Sequence, residues 1–233
     1  MPVALITGAS AGLGRELARA LADRGWSLVI DARTPGPLHE TAAELARSTR
    51  VEAVAGDVAD PGHRAALAAA VAPFDTLDLL VNNASELGPS PLPPLAAHPV
   101  DALTRVLEVD LVAPVALIQL VLPALARARG TVLNVSSDAA VEAYPGWGGY
   151  GSAKAALDHA SAVLAVENPD LHVYAVDPGD MRTDMHQRAF PGEDISDRQD
   201  PADAVPALLH LIEARPPSGR YRAADLRGTA AAR

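Results

Sequence analysis

The opening of the chain fixes most of what it can fold into. Val3-Ala-Leu-Ile-Thr7 is a short apolar run of the kind that forms a strand buried on both faces of a parallel sheet. Leu13 to Arg24 then places Leu13, Leu17, Ala20 and Leu21 on one side of a helix, with Arg15, Glu16, Arg19 and Asp23 elsewhere. Between the two lies Gly8-Ala-Ser10-Ala-Gly12-Leu13-Gly14, so the glycines sit where a strand hands over to a helix. Amides at such a helix N-terminus can meet a phosphate, and glycines let it come close. The spacing is Gly-x-x-x-Gly-x-Gly, not the commoner Gly-x-Gly-x-x-Gly. On its own it is explained equally well as a tight turn.

The alternation continues to the end of the chain. Strands are predicted over Val3–Thr7, Ser27–Ala32, Val51–Ala55, Leu77–Val81, Thr131–Ser136, Leu171–Asp177 and, shorter, Gly219–Arg222. Helices fall between them, the longest from about Pro99 to Ala128 and from about Gly149 to Glu167. Such a pattern predicts the α/β class: a doubly wound, Rossmann-type parallel sheet with helices on both faces. No repeat or linker divides residues 1–233, which are expected to form one domain. Segments 85–99 and 181–201 follow strand C-terminal ends, where open α/β sheets bind ligands, and are expected to be substrate loops.

Tyr150 and Lys154 are four apart and so share one helix face. A phenol is a poor base at neutral pH, and an ammonium group beside it favours the phenolate. That pairing predicts a proton-transfer role for Tyr150, with Lys154 lowering its pKa. Asp110 and Pro114 share the long helix, and Pro114 cannot donate to the Asp110 carbonyl four residues back. A kink is expected there. The Asp110 side chain either joins the reacting group or simply pairs with Lys154 or solvent.

Composition narrows the function class. A formal charge of −10 and no basic stripe argue against nucleic acid. The chain has no cysteine, and its seven histidines form no His-x-His or His-x-x-x-His pair, so no metal site is expected. Absent cysteines suit a reducing compartment, and the first strand begins at Val3, leaving no room for a signal peptide; a cytoplasmic protein is expected. The apolar stretch Leu111–Ala126, broken by Pro114, Gln119 and Pro123, reads as a buried helix too short to span a bilayer.

Taken in order, Thr7-Gly8-Ala-Ser-Ala-Gly12-Leu-Gly14, Asp57-Val58, Asn82-Asn83-Ala84, Ser136-Ser137, Tyr150-x-x-x-Lys154 and Pro178-Gly179-Asp-Met-Arg-Thr183 resemble the short-chain dehydrogenases/reductases over nearly the whole chain. Two positions depart from the family pattern. Ser85 stands where a glycine usually closes Asn-Asn-Ala-Gly, and Asp110 stands where an asparagine completes the catalytic group.

The resemblance implies a nicotinamide dinucleotide cofactor held by Gly8, Ser10, Gly12, Leu13, Gly14, Arg33, Asp57, Val58, Asn83, Ala84, Tyr150, Lys154, Pro178, Gly179, Met181 and Thr183. Within that set Asp57 would accept from the adenine amino group, or else cap the helix starting near Pro61. Asn83 and Ala84 would touch the adenosine ribose and support the sheet, although a plain turn also accounts for the asparagines. Thr183 would hold the nicotinamide carboxamide. Ser137, thirteen positions before Tyr150, would hydrogen-bond the substrate oxygen; Tyr150 would exchange the proton; Lys154 would also bond the nicotinamide ribose. Asp110 joins Ser137, Tyr150 and Lys154 as the fourth catalytic candidate.

Cofactor choice turns on Asp31-Ala32-Arg33. NAD-dependent members usually carry aspartate where Ala32 stands, and Arg33 is suited to a 2′-phosphate, so NADP(H) is favoured over NAD(H). Asp31 either pairs with Arg33 or reaches the ribose itself. Tyr144, Trp147, Met185 and His186 are candidate substrate residues, with the Pro-rich Gly88–Pro99 as a further wall and Met181 and Phe190 completing a lid. The expected activity is hydride transfer between nicotinamide and a small-molecule carbonyl or secondary alcohol. The alternatives are an NAD(H)-dependent dehydrogenase of the same fold or a non-catalytic dinucleotide sensor. Apolar surface on Ala113–Ala126 and Ala155–Val166 predicts a homodimer or homotetramer, and no membrane partner is expected.

Overall fold

Six consecutive buried residues, Ser27–Ala32, show how completely the sheet is covered. The computed structural model describes the backbone of residues 1–230 and side chains through residue 226. Its elements run β1 (Val3–Ile6), α1 (Gly12–Ala22), β2 (Ser27–Ala32), α2 (Pro35–Leu45), β3 (Val51–Ala55), α3 (Pro61–Val71), β4 (Leu79–Asn82) and α4 (Val100–Leu107). A π-helical turn over Glu108–Val112 leads into α5 (Ala113–Ala128), β5 (Thr131–Val135), α6 (Gly148–Glu167) and β6 (His172–Asp177). The chain continues through α7 (Asp184–Ala189), α8 (Val205–Ala214), β7 (Gly219–Arg222) and α9 (Ala223–Ala230).

The strands form one seven-stranded parallel sheet in the order β3-β2-β1-β4-β5-β6-β7. Ile6 of β1 pairs with Ile30 on one side and Val81 on the other, so the winding reverses at β1. That reversal opens a crevice at the strand C-terminal ends. Parity along β1 divides the core. Ala4 and Ile6 pack with Leu17 and Leu21 of α1 and Leu208 and Leu211 of α8, while Val3 and Leu5 face Leu67 of α3 and Leu117, Val121 and Leu125 of α5. Each fully buried leucine contributes about 1.5–3 kcal/mol relative to an exposed one.

The predicted helix over Pro99–Ala128 is not a single α-helix. Pro114 supplies no N–H, and the Ala113 amide bonds the Glu108 carbonyl five residues back, giving the π turn around Asp110. Counted together, Val100–Ala128 spans 29 residues, long and apolar enough to cross a membrane by length and composition. The expectation of a segment too short to span is therefore corrected on length, because the helical run extends well beyond Leu111–Ala126. Its inner residues Leu117, Ile118, Val121 and Leu125 are buried, whereas Val112 and Leu120 are about half exposed.

Candidate active site

A cleft of about 610 Å³ opens along the C-terminal ends of the strands, within the size range of ligand sites. One end is built from backbone. Gly8 has φ +67°, and a Cβ on Gly14 would come within 2.5 Å of the Gly8 carbonyl oxygen, so the turn tolerates no side chain at either point. The first turn of α1 carries neither a capping side chain nor an acidic residue. Its free amides suit an anion. Gly8, Ser10, Gly12 and Leu13 line the cleft, while Gly14 packs behind them. The Asn83 side-chain amide holds this turn from the β4 side, donating to the carbonyls of Thr7 (2.9 Å) and Gly8 (3.1 Å).

Asp31 supports the turn from beneath. Its carboxylate accepts from the Gly8 amide (2.8 Å) and from His63 Nε2 (2.9 Å), and it is 1% exposed. Burial pushes its pKa up, while the His63 and Gly8 hydrogen bonds oppose that shift. Of the two sequence alternatives for Asp31, pairing with Arg33 is not seen. Its oxygens are taken by Gly8 and His63, and the residue itself lines the cleft. Arg33 instead meets Glu86 at 3.2 Å, and Glu86 also meets Arg188 of α7 at 3.4 Å.

Asp57 lines the cleft and bonds the Ala59 amide (2.9 Å) and Arg105 of α4. Burial raises its pKa, but the Ala59 and Arg105 hydrogen bonds outweigh it and hold the group below its ordinary value. The alternative cap role is corrected: Asp60 caps α3, accepting from Gly62 at 2.8 Å. Val58, Asn83, Ala84, Arg33, Pro178, Gly179, Met181 and Thr183 all line the same cleft. Thr183 also caps α7 through the His186 amide.

At the other end stand Ser137, Tyr150 and Lys154, again lining the cleft, with Asp110 behind them. Ser137 follows β5, accepts from the Ala139 amide (3.1 Å) and donates to Asp138 (3.0 Å). Lys154 is 2% exposed; its ammonium donates to the Val135 carbonyl (3.0 Å) and lies 4.0 Å from Asp110. Asp110 is fully buried, accepting from Ser85 Oγ (3.1 Å) and the Glu86 amide (2.8 Å). Burial pushes its pKa up to about 6 against the pull of Lys154 and these hydrogen bonds.

The expected lowering of the Tyr150 pKa is not what this environment gives. Burial raises it, Asp110 raises it further, and hydrogen bonding with Ser85 and Ser137 opposes them. Burial is the larger cause, and the Asp110 carboxylate adds to it.

The substrate candidates divide. Trp147, Met185 and His186 line the cleft, with Trp147 edge-on to Tyr150 at 5.7 Å and Phe190 at 6.0 Å from Trp147. Burial pushes the His186 pKa down. Tyr144 does not join them; its hydroxyl turns to Asp138 and Glu142 and its ring is exposed. Residues 88–99 also stay off the cleft wall, where Leu87 takes the place expected of them, while Leu92 packs behind.

Several contributors had no sequence signal. His63 reaches Asp31 across 32 positions, Arg105 reaches Asp57 across 48, and Arg220 of β7 reaches the Ser137 carbonyl (2.8 Å) across 83. Among the described residues no group of His, Cys, Asp or Glu is arranged to hold a metal ion.

Comparison with known proteins agrees with this arrangement. The family model for short chain dehydrogenase matches residues 2–194. An uncharacterized oxidoreductase of Mycobacterium tuberculosis is 35% identical over 233 residues, covering 94% of this chain and 87% of its own. The 2-(R)-hydroxypropyl-CoM dehydrogenase of Xanthobacter autotrophicus is 34% identical over 205 residues, covering 84% of this chain and 81% of its own. Among solved structures, a short chain dehydrogenase of Shigella flexneri complexed with NADP superposes at TM-score 0.89 with 28% identity, over 96% of this chain and 97% of that one. One from Escherichia coli complexed with NADPH superposes at 0.87 with 29% identity, over 95% and 96%.

Proposed function

The chain belongs to the short-chain dehydrogenase family and is an oxidoreductase, and from that premise we propose that it is an NADP(H)-dependent enzyme acting on a carbonyl or secondary alcohol. The observation that carries this is the placement of Ser137, Tyr150 and Lys154 at one end of a cleft whose other end is a glycine turn beside Arg33. The residues fit a dinucleotide phosphate: a side-chain-free cradle, uncapped amides of α1, and the Arg33 guanidinium. When bound, the nicotinamide group supplies hydride donation and acceptance. Gly8, Ser10, Gly12, Leu13 and Gly14 would hold its pyrophosphate side, Arg33 the 2′-phosphate, Asp57 and Val58 the adenine, and Asn83 and Ala84 the ribose. Pro178, Gly179, Met181 and Thr183 would flank the nicotinamide.

The chain's own residues handle the proton. Ser137 steadies the substrate oxygen, and Tyr150 donates a proton to it in reduction or removes one in oxidation. Lys154, held by the Val135 carbonyl, sits in position to orient the reacting end. Trp147, Met185 and His186 would border the substrate, with Trp147 and Met185 making an apolar wall beside Tyr150. Residues 1–233 act as one functional domain, with 181–201 as its substrate-side segment. A homo-oligomer is supported by apolar Val112, Leu120, Val163 and Val166 exposed around α5 and α6, where a second copy can pack.

Fluorescence titration with NADPH and NADH, followed by a carbonyl and alcohol panel read at the nicotinamide absorbance, tests the proposal. Tighter NADPH binding and turnover of at least one panel member are expected. Tighter NADH binding would reverse the cofactor assignment, and binding without turnover across the panel would favour a dinucleotide sensor.

A further inference from the structure

Glu86, in the loop after β4, stands between two arginines that are far apart in the chain. Arg33 Nη1 donates to Glu86 Oε2 at 3.2 Å, and Arg188 Nη2 of α7 reaches Oε1 at 3.4 Å. The carboxylate is fixed without help from Arg33. The Gly88 amide donates to Oε1 (3.2 Å), and the Glu86 amide is anchored on the Asp110 carboxylate (2.8 Å). Arg188 is anchored in turn: its guanidinium donates to the Gly88 carbonyl (3.1 Å), and its own carbonyl accepts from Ser90 Oγ (2.7 Å). The Arg33 side chain is 56% exposed, against 13% for Glu86, and Glu86 is its one hydrogen-bond partner among the described residues. Asp57 attracts the same guanidinium without a hydrogen bond to it. Arg33 is therefore the loosely held member of the group.

Three cations line the cleft: Arg33, Lys154 and Arg182. Lys154 is buried on the Val135 carbonyl near Asp110, and Arg182 pairs with Asp200 at 3.1 Å. Arg33 is thus the cation that a phosphate beside the glycine turn can recruit, and in this structure a carboxylate already holds it.

We propose that Glu86 is a specificity-determining residue, competing with the 2′-phosphate of a bound dinucleotide for Arg33 and so moderating the preference for NADP(H) over NAD(H). The inference rests on the dinucleotide reading under Proposed function. A phosphate offers a guanidinium paired, charge-assisted hydrogen bonds, so it can draw Arg33 off a single 3.2 Å contact. Glu86 then keeps Arg188 and the Gly88 amide, and no carboxylate is left unpaired. With a dinucleotide that lacks the phosphate, Arg33 stays on Glu86 and its charge remains neutralised. Either cofactor therefore leaves every charged group with a partner. What separates them is one partly exposed ion pair, so the moderation is modest.

Calorimetric titration of the full chain tests this without substrate, using NADP⁺ and NAD⁺, with 2′,5′-ADP and 5′-AMP as shorter probes of the phosphate. Glu86→Gln should tighten NADP⁺ and 2′,5′-ADP by roughly fivefold, the upper end for an exposed ion pair, and leave NAD⁺ and 5′-AMP within twofold. In an Arg33→Ala background the same substitution should change nothing, because the competition acts only through Arg33. Arg188→Met gives a second variant with the opposite sign: Glu86, left with one arginine, should hold Arg33 harder and weaken NADP⁺ relative to NAD⁺. Unchanged or weaker NADP⁺ binding in Glu86→Gln overturns the proposal, since Glu86 would then be aiming Arg33 rather than withholding it. Equal tightening of NAD⁺, or a gain that persists without Arg33, overturns it too. A parent that binds neither dinucleotide sinks the functional reading and the inference together; a parent that binds NADP⁺ with no response at Glu86 sinks the inference alone.

Discussion

Asp31 and Asp110 are two buried carboxylates at opposite ends of one cleft, and burial raises the pKa of both. Their partners differ. Asp31 is held by a backbone amide and a histidine of α3, groups that fix the shape of the glycine turn. Asp110 is held by a serine hydroxyl, a backbone amide and a nearby ammonium, all beside the tyrosine proposed to react. Burial sets the direction of the shift in each case; the neighbours decide whether the carboxylate holds a loop or influences a proton.

The contrast breaks most visibly at the reacting end. Tyr150→Phe should lower turnover by about 10²–10⁴-fold while leaving cofactor affinity within a few-fold, since the ring still packs beneath Trp147. Steady-state kinetics paired with NADPH titration reads this, and retention of a tenth of kcat would remove Tyr150 from its role. At the opposite end, Asp31→Ala should cost about 3–4 kcal/mol of stability, because it strands His63 and the Gly8 amide without their partner. Urea unfolding measures it; a loss under about 1 kcal/mol would mean the turn holds its shape without Asp31.

Asp110→Asn sharpens the comparison through pH. The folded pKa of Asp110, about 6, lies above its ordinary 3.8. Stability from this group is therefore complete below the ordinary value and lost as pH rises through about 6, a change of about 3 kcal/mol. The variant lacks that loss, so its stability relative to the parent should climb between pH 4 and 7 in denaturant titrations. Its oxidative pH profile should also move toward acid, because the charge that raises the Tyr150 pKa is gone. A shift toward alkali would reverse the sign of the argument. Smallest is Arg33→Ala, expected to weaken NADPH binding by about 1.5–3 kcal/mol and NADH hardly at all. Equal losses would mark Arg33 as structural, acting through Glu86.

The two ends were also unequally legible. Gly8, Gly12 and Gly14 announce their turn because a strand period ends before them and a helix period begins after, and both periods are local. Tyr150 and Lys154 share a face for the same reason. The substrate pocket was less legible. Tyr144 lies six residues from Tyr150, yet Asp138 and Glu142 draw its hydroxyl outward. The π turn at Asp110 was half visible: Pro114 marked the broken hydrogen bond, but not the shift to a five-residue step.

The sequence by itself determined the parallel sheet, the glycine turn and the placement of Tyr150 and Lys154, since each follows from steric and periodic rules acting over a few residues. Only the tertiary structure decided what the charged groups do. Asp31 met His63 rather than Arg33, Arg33 met Glu86, and Asp110 and Ser85 came together beside Tyr150. Those meetings depend on which helix covers which strand. A buried charge takes whatever partner the packing brings within reach, and no local pattern encodes that distance.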